Sequence, residues 1–123
     1  MWLSRQGRAA ESVQDHARLG EVTVSGNPAA VYLDGERRAL PVFGPGGYCW
    51  RPALHQEVLV LKAGNAGETL CVAGARCEEG LEPGEVAIST PGGAAIRLRA
   101  DGSVEIRGTA LRFNGQDIRP GGM

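Results

Sequence analysis

The sequence predicts an all-β protein, on three observations. Glycine is over-represented, with 19 in 123 residues and 7 prolines beside them, so the chain must turn often. Apolar and polar residues alternate with period two through many short runs, the pattern of strands with one dry face. No stretch sustains an apolar stripe at helical spacing. The length is that of one domain, or of a small domain with an appendage.

Residues 1–18 are polar and weakly patterned. ESVQDHAR is long enough for a helical turn but carries no apolar stripe, so this segment reads as a flexible or docking arm. From residue 19 the strand signals are dense. EVTV (21–24) alternates, AAVYLDGE (29–36) runs into an Asp-Gly turn, and RALPVF (38–43) follows. GPGGYCWRP then places Tyr48, Cys49 and Trp50 between two turn-forming clusters. QEVLVLKAG (56–64) is the most apolar strand, and its continuous run from Val58 to Leu61 predicts cover on both faces. After an AGNAG turn comes ETLCVAG (68–74). Five short strands between residues 20 and 75 predict a small closed barrel. The oligonucleotide/oligosaccharide-binding (OB) type is the commonest at this size, although the pattern supports a small barrel more than any one topology.

RCEEGLEPGE (76–85), acidic and rich in glycine, reads as an exposed connection. It divides the barrel, residues 19–84, from a region 85–123 of another style. EVAIST, AAIRLRA, SVEIRG and ALRFNG are short strands separated by PGG, DG and G. Their apolar pairs recur as Val86/Ile88, Ile96/Leu98, Val104/Ile106 and Leu111/Phe113, at steps of ten, eight and seven residues. Arg97, Arg99, Glu105, Arg107 and Arg112 fall on the opposite face. This is an internal repeat with a period near eight.

A meander of such strands needs a cover for its apolar face, because small sheets are marginal in water. Burying one Leu or Ile is worth ~1.5–3 kcal/mol, so eight such residues represent on the order of 12–24 kcal/mol. The meander either folds back on the barrel or is covered by strands of other copies wound round a shared axis. The second arrangement is favoured. The strands are too short for an ordinary sheet layer, glycine follows nearly every strand, and outward Arg and Glu alternate in a way that permits pairing between chains. Intertwining also removes the sheet edges.

GLEPGEVAISTPGGAAIRLRADGSVEIRG (80–108) resembles the junction in baseplate assembly protein V, the central spike of Mu-like contractile phage tails. In that family a PGE-V-A-apolar strand leaves an OB-fold barrel and enters an intertwined, trimeric β-helix. LPVFGPGGYCWRPALHQEVLVLKAG (40–64) resembles the family's barrel, and the likeness covers roughly residues 20–118. It implies a homotrimer with an OB-like barrel followed by a short triple-stranded β-helix. The barrel end would dock on the baseplate hub and tail tube, and the other end would face the target cell envelope. The implied location is the baseplate of a virion or tail-like particle assembled in the bacterial cytoplasm. The repeat region is short for the family, so the spike would be blunt. His16 and His55 lie far from the end, so no metal-bearing tip is expected. Two endings are open: a separate tip protein seated on residues 113–118, or a frayed end.

Other function classes fare less well. A nucleic-acid-binding barrel needs stacking aromatics and a basic groove. Tyr32, Phe43, Tyr48 and Trp50 are the candidates, several of them expected in the core, and Arg37, Arg38 and Arg51, with Lys62 some way off, read as a solvated face. The alternative reading, an OB-fold module for single-stranded nucleic acid or a ligand, rests on these residues, but no nucleic-acid partner is expected. Catalysis is not expected either: Cys49 and His55 show no informative spacing, GPGG lacks the Lys-Ser/Thr of a phosphate loop, and STPGG (89–93) reads as a turn. Cys49, His55, Cys71 and Cys77 do not have zinc-ligand spacing. No catalytic, cofactor or metal residue is therefore assigned, and the three cysteines are expected as buried, inert thiols. The net charge of −1 gives no argument for nucleic acid or an anionic membrane. The start, MWLSRQGRAAES, predicts no secretory signal, which weighs against a cell-surface β-repeat protein.

Overall fold

The computed structural model describes residues 17–64, 69–77, 80–119 and 121. Their regular structure is all strand: β1 (Ala17–Val24), β2 (Ala29–Tyr32), β3 (Glu36–Leu40), β4 (Glu57–Ala63), β5 (Thr69–Ala75), β6 (Val86–Ser89), β7 (Ala95–Leu98), β8 (Val104–Arg107), β9 (Leu111–Phe113) and β10 (Gln116–Ile118). They form three antiparallel sheets, ordered β3-β2-β1-β4-β5, β6-β7-β8 and β10-β9. The chain divides into two compact units, with the break after Cys77.

In the first unit the two edges of the five-stranded sheet meet. Just past β3, Phe43 N–H donates to the Val72 carbonyl at 2.9 Å, and Val72 N–H donates to the Pro41 carbonyl at 2.9 Å. These bonds make a parallel bridge between Val42 and Val72. The Asn27 side chain holds the same segment, its Oδ1 accepting from Val42 N–H at 3.0 Å. A sheet this small must bend hard to bring its edges together, and bulges supply the bend. Register shifts occur in β1 between Val22 and Val24, in the β2–β3 pair opposite Ala29 to Val31, and in the β4–β5 pair at Leu59 to Val60. Ala39, in the β3 bulge, has φ of 60°, a left-handed conformation in which its Cβ is strained.

Inside the curl lies an aliphatic core. Val22, Ala29, Val31, Leu40, Val58, Val60 and Val72 are at most 2% exposed, and Leu33, Val42, Trp50, Leu70 and Ala75 pack against them. Valine dominates because β-branched side chains fit a pleated surface. Gly20 is buried in β1 where no side chain fits. A Cβ there would collide with Val31 Cγ1 and lie 2.7 Å from Leu33 Cδ2 and 2.9 Å from the Tyr32 carbonyl oxygen.

Several expectations need correction. The first strand begins at Ala17, not at residue 21, because Ala17 to Glu21 pair with Leu61 to Glu57 of β4. Glycine at position 20 hides this inward position from a hydropathy pattern. The arm of residues 1–18 thus loses its last two residues to the sheet; residues 1–16, with His16, lie outside the described residues, as do 65–68 of the AGNAG turn and Glu78 and Glu79 of the connection. Strand β4 is covered on one face only: Val58 and Val60 are 1% exposed, but Leu59 is 39% exposed beside Leu19. Of the aromatic residues, Trp50 packs on the core and donates from Nε1 to the Phe43 carbonyl at 2.9 Å. Tyr32, Phe43 and Tyr48 are exposed, contrary to a core placement.

Candidate functional site

The second unit is built on two matching hairpin turns. Thr90 N–H donates to the Ala94 carbonyl and Gly93 N–H to the Thr90 carbonyl; nine residues on, Arg99 N–H donates to the Ser103 carbonyl and Gly102 N–H to the Arg99 carbonyl. Gly93 and Gly102 have φ of 97° and 91°. This is the three-residue loop with a left-handed glycine bulge, which sets hairpin register. In the second turn Asp101 Oδ1 accepts from Ser103 N–H at 2.9 Å and from its hydroxyl at 2.6 Å. These bonds hold the Asp101 carboxyl below its ordinary range, the hydroxyl bond contributing most.

The register places Val86 opposite Leu98 and Leu98 opposite Val104, and in the next row Ile88 opposite Ile96 and Ile96 opposite Ile106. Six aliphatic side chains therefore share one face of β6-β7-β8, as the alternation predicts. All six are uncovered, from 45% exposed at Ile96 to 59% at Val104. Among the described residues, the buried hydrophobic ones, from Val22 to Val72, all belong to the first unit.

The opposite face carries a network of ion pairs. Glu85, just before β6, has a side chain only 5% exposed. Its Oε2 accepts from Ala100 N–H at 2.9 Å, and its Oε1 accepts from Glu82 N–H at 3.0 Å and from Arg99 at 3.4 Å. The Ala100 and Glu82 amides, with Arg99 adding less, hold its carboxyl below the usual range. A turn with Pro83 and left-handed Gly84 aims the carboxylate, closed by Glu85 N–H donating to the Glu82 carbonyl at 3.1 Å. That geometry gives PGE its physical meaning: Pro and Gly shape the turn, and Glu ties β6 to the β7–β8 loop. Arg99 also donates to Glu105 at 2.9 Å, which lowers the Glu105 carboxyl and raises the Arg99 guanidinium. Arg107 lies 3.5 Å from Glu105. Arg99, Glu105 and Arg107, among the outward side chains that permit pairing between chains, thus pair within this one. Arg97 Nε is buried without a partner among the described residues; it stands across the ladder from Glu105, whose oxygens Arg99 and Arg107 already hold.

The fourth repeat departs from the others. β9 leaves the three-stranded sheet and pairs with β10, a strand the sequence reading did not include. Asn114 and Gly115, with φ of 50° and 80°, make the turn, and Arg112 donates to Asp117 at 3.0 Å. Leu111, Phe113 and Ile118 are 46%, 67% and 46% exposed.

In the first unit, polar contacts are local. Arg18 and Arg37 lie 3.4 Å and 3.1 Å from Asp34, Arg38 lies 3.0 Å from Glu36, and Arg76 pairs with Glu57. A turn amide, then Arg18 and Arg37, hold the Asp34 carboxyl below its ordinary value. His55 Nδ1 lies 3.0 Å from Glu21, on the surface. All three cysteines are free, but only Cys71 is buried; Cys49 and Cys77 are exposed, correcting the expectation of buried thiols. Both sit in connecting segments outside the sheet, so exposure there follows from the loops. Among the described residues no group of three or more His, Cys, Asp or Glu side chains is placed to hold a metal ion. No family model matches the chain, and no curated protein matches its sequence.

Proposed function

We propose that the protein is a structural component of a contractile tail or injection apparatus, the homotrimeric central spike at its baseplate. The first unit serves as an OB-type barrel that docks on the hub and caps the tail tube. The second serves as a short, intertwined β-helix that leads through the target cell envelope when the sheath contracts. The observation that carries this reading is the uncovered aliphatic face of β6-β7-β8, set against a polar face whose Glu85, Arg99, Glu105 and Arg107 pair with one another. A rod under axial load needs a continuous hydrogen-bonded ladder and a dry, interlocked interior, and this face supplies the interior once copies close on it. Further support comes from the sheet order of the first unit, closed in parallel between its edges, and from the likeness of residues 20–118 to the spike family.

The role is tested in the producing cells. An antibody against the chain is applied to purified contractile particles, and the label is located by electron microscopy. Label at the baseplate end of the tube supports the reading. Particles without label, from cells that make the protein, contradict it.

A second reading has one observation in its favour. Tyr32, Phe43 and Tyr48 are exposed as stacking platforms would be. Against it, the basic side chains are interleaved with carboxylates: Arg18 and Arg37 share Asp34, Arg38 lies on Glu36 and Arg76 on Glu57. A salt-dependent gel shift with single-stranded DNA would support a binding module; no shift is expected from a spike.

A further inference from the structure

The end of β8, the segment 108–110 and the terminal hairpin line a cleft of about 390 Å³. Ile106 of β8, Leu111 of β9 and Ile118 of β10 line it, with Arg107, Asp117 and Arg119. The cleft exists because the chain leaves one sheet and begins another across residues 108–110. Phe113 shares the hairpin face of Leu111, but it pairs with Gln116, whereas Leu111 pairs with Ile118. Two residues along a strand span about 6.6 Å. Phe113 therefore stands past the cleft of its own chain, does not line it, and is the most exposed large hydrophobic side chain described, at 67%.

We propose that Phe113 of one copy fills the cleft of a second copy, locking the terminal hairpins head to tail. The inference rests on the trimeric reading above. Each chain then carries one knob and one socket at different places, which is a heterologous contact, and such contacts close into a ring when the rotation permits. Three copies use every knob and every socket. The occupant is argued from size, area and charge. An aromatic ring with part of its strand fits a cleft of this volume. At roughly half exposure, the six meander residues with Leu111, Phe113 and Ile118 present on the order of 800 Å² per copy, the share each partner gives to a standard interface. Arg119 in the lining favours an aromatic occupant, since a guanidinium is attracted to a ring face.

The test mixes two preparations of the full chain, one with labelled isoleucine methyls and the other with protonated phenylalanine rings on a deuterated background. Nuclear Overhauser contacts are expected between the Phe113 ring and the Ile106 and Ile118 methyls of different copies. A three-copy assembly without those contacts overturns the inference and leaves the spike reading standing, as when the hairpin is kept for another protein. A single-copy protein overturns both. Variants give a second readout. Phe113→Ala is expected to raise the concentration at which half the chains are assembled by at least about tenfold, and Phe113→Leu by less. Phe43→Ala, which truncates a ring 56% exposed in the first unit, should leave it unchanged. Equal behaviour of Phe113→Ala and Phe43→Ala overturns the inference.

Discussion

Strands β4 and β7 both carry aliphatic residues at every second position of one face, yet Val58 and Val60 are 1% exposed whereas Ile96 and Leu98 are 45% and 48% exposed. The difference lies in what surrounds each strand. β4 sits inside a sheet whose edges join, so its inward side chains meet those of β1, β2 and β5 across a closed core. β7 is the centre of a three-stranded sheet whose aliphatic face is uncovered among the described residues. Alternation specifies which face is apolar but not what lies over it. In the first unit the chain supplies the cover; in the second, on the proposed reading, sister copies do.

That contrast can be broken by mutation. Ile96→Asp is expected to have the largest effect, and on assembly alone. A carboxylate placed in a dry shared interior costs about 3–5 kcal/mol per copy when nothing compensates it. The variant should run as single chains while its first unit unfolds at the wild-type denaturant midpoint. Leu40→Ala tests the other side. It should destabilise the first unit by about 2–5 kcal/mol, the range for truncating a well-packed core leucine, measured by denaturant unfolding.

Acid should loosen the second unit through its polar face. Glu85 and Glu105 are held below their ordinary value of 4.5, and Asp101 below 3.8. A carboxyl with a depressed folded value stabilises the fold fully above its unfolded value and loses that contribution as pH falls through the folded one. The methyl signals of Ile88, Ile96 and Ile106 should therefore hold steady above 4.5 and disperse less at lower pH. Glu85→Gln should make part of that change pH-independent. The smallest expected effect is in the first unit: Ala39→Gly removes the strain of a positive φ and should stabilise by about 0.5 kcal/mol in the same unfolding assay, the strain relief exceeding the added chain entropy.

Strand placement was legible where alternation was strong. Val86/Ile88, Ile96/Leu98 and Val104/Ile106 form the face that their spacing implies, because a turn of fixed length pins the register. Alternation failed at β1, where glycine occupies an inward position too tight for a side chain. It misled at β4, where Leu59 continues an apolar run but points outward. The β10 strand carries a signal that the recurrence of apolar pairs does not: Asn-Gly between LRF and QDI is a strong hairpin turn. Glu85 could not be singled out from sequence, since its role depends on Ala100, fifteen residues away. The exposed Tyr32, Phe43 and Tyr48 show the limit of composition, which places aromatic residues inside by default.

The most direct measurement is the mass of the purified chain in solution by light scattering, over a dilution series. The account expects a species of three times 12.9 kDa, giving way to single chains when Ile96 is changed to Asp. A wild-type protein that stays at 12.9 kDa at every concentration, with its second unit folded, would contradict it.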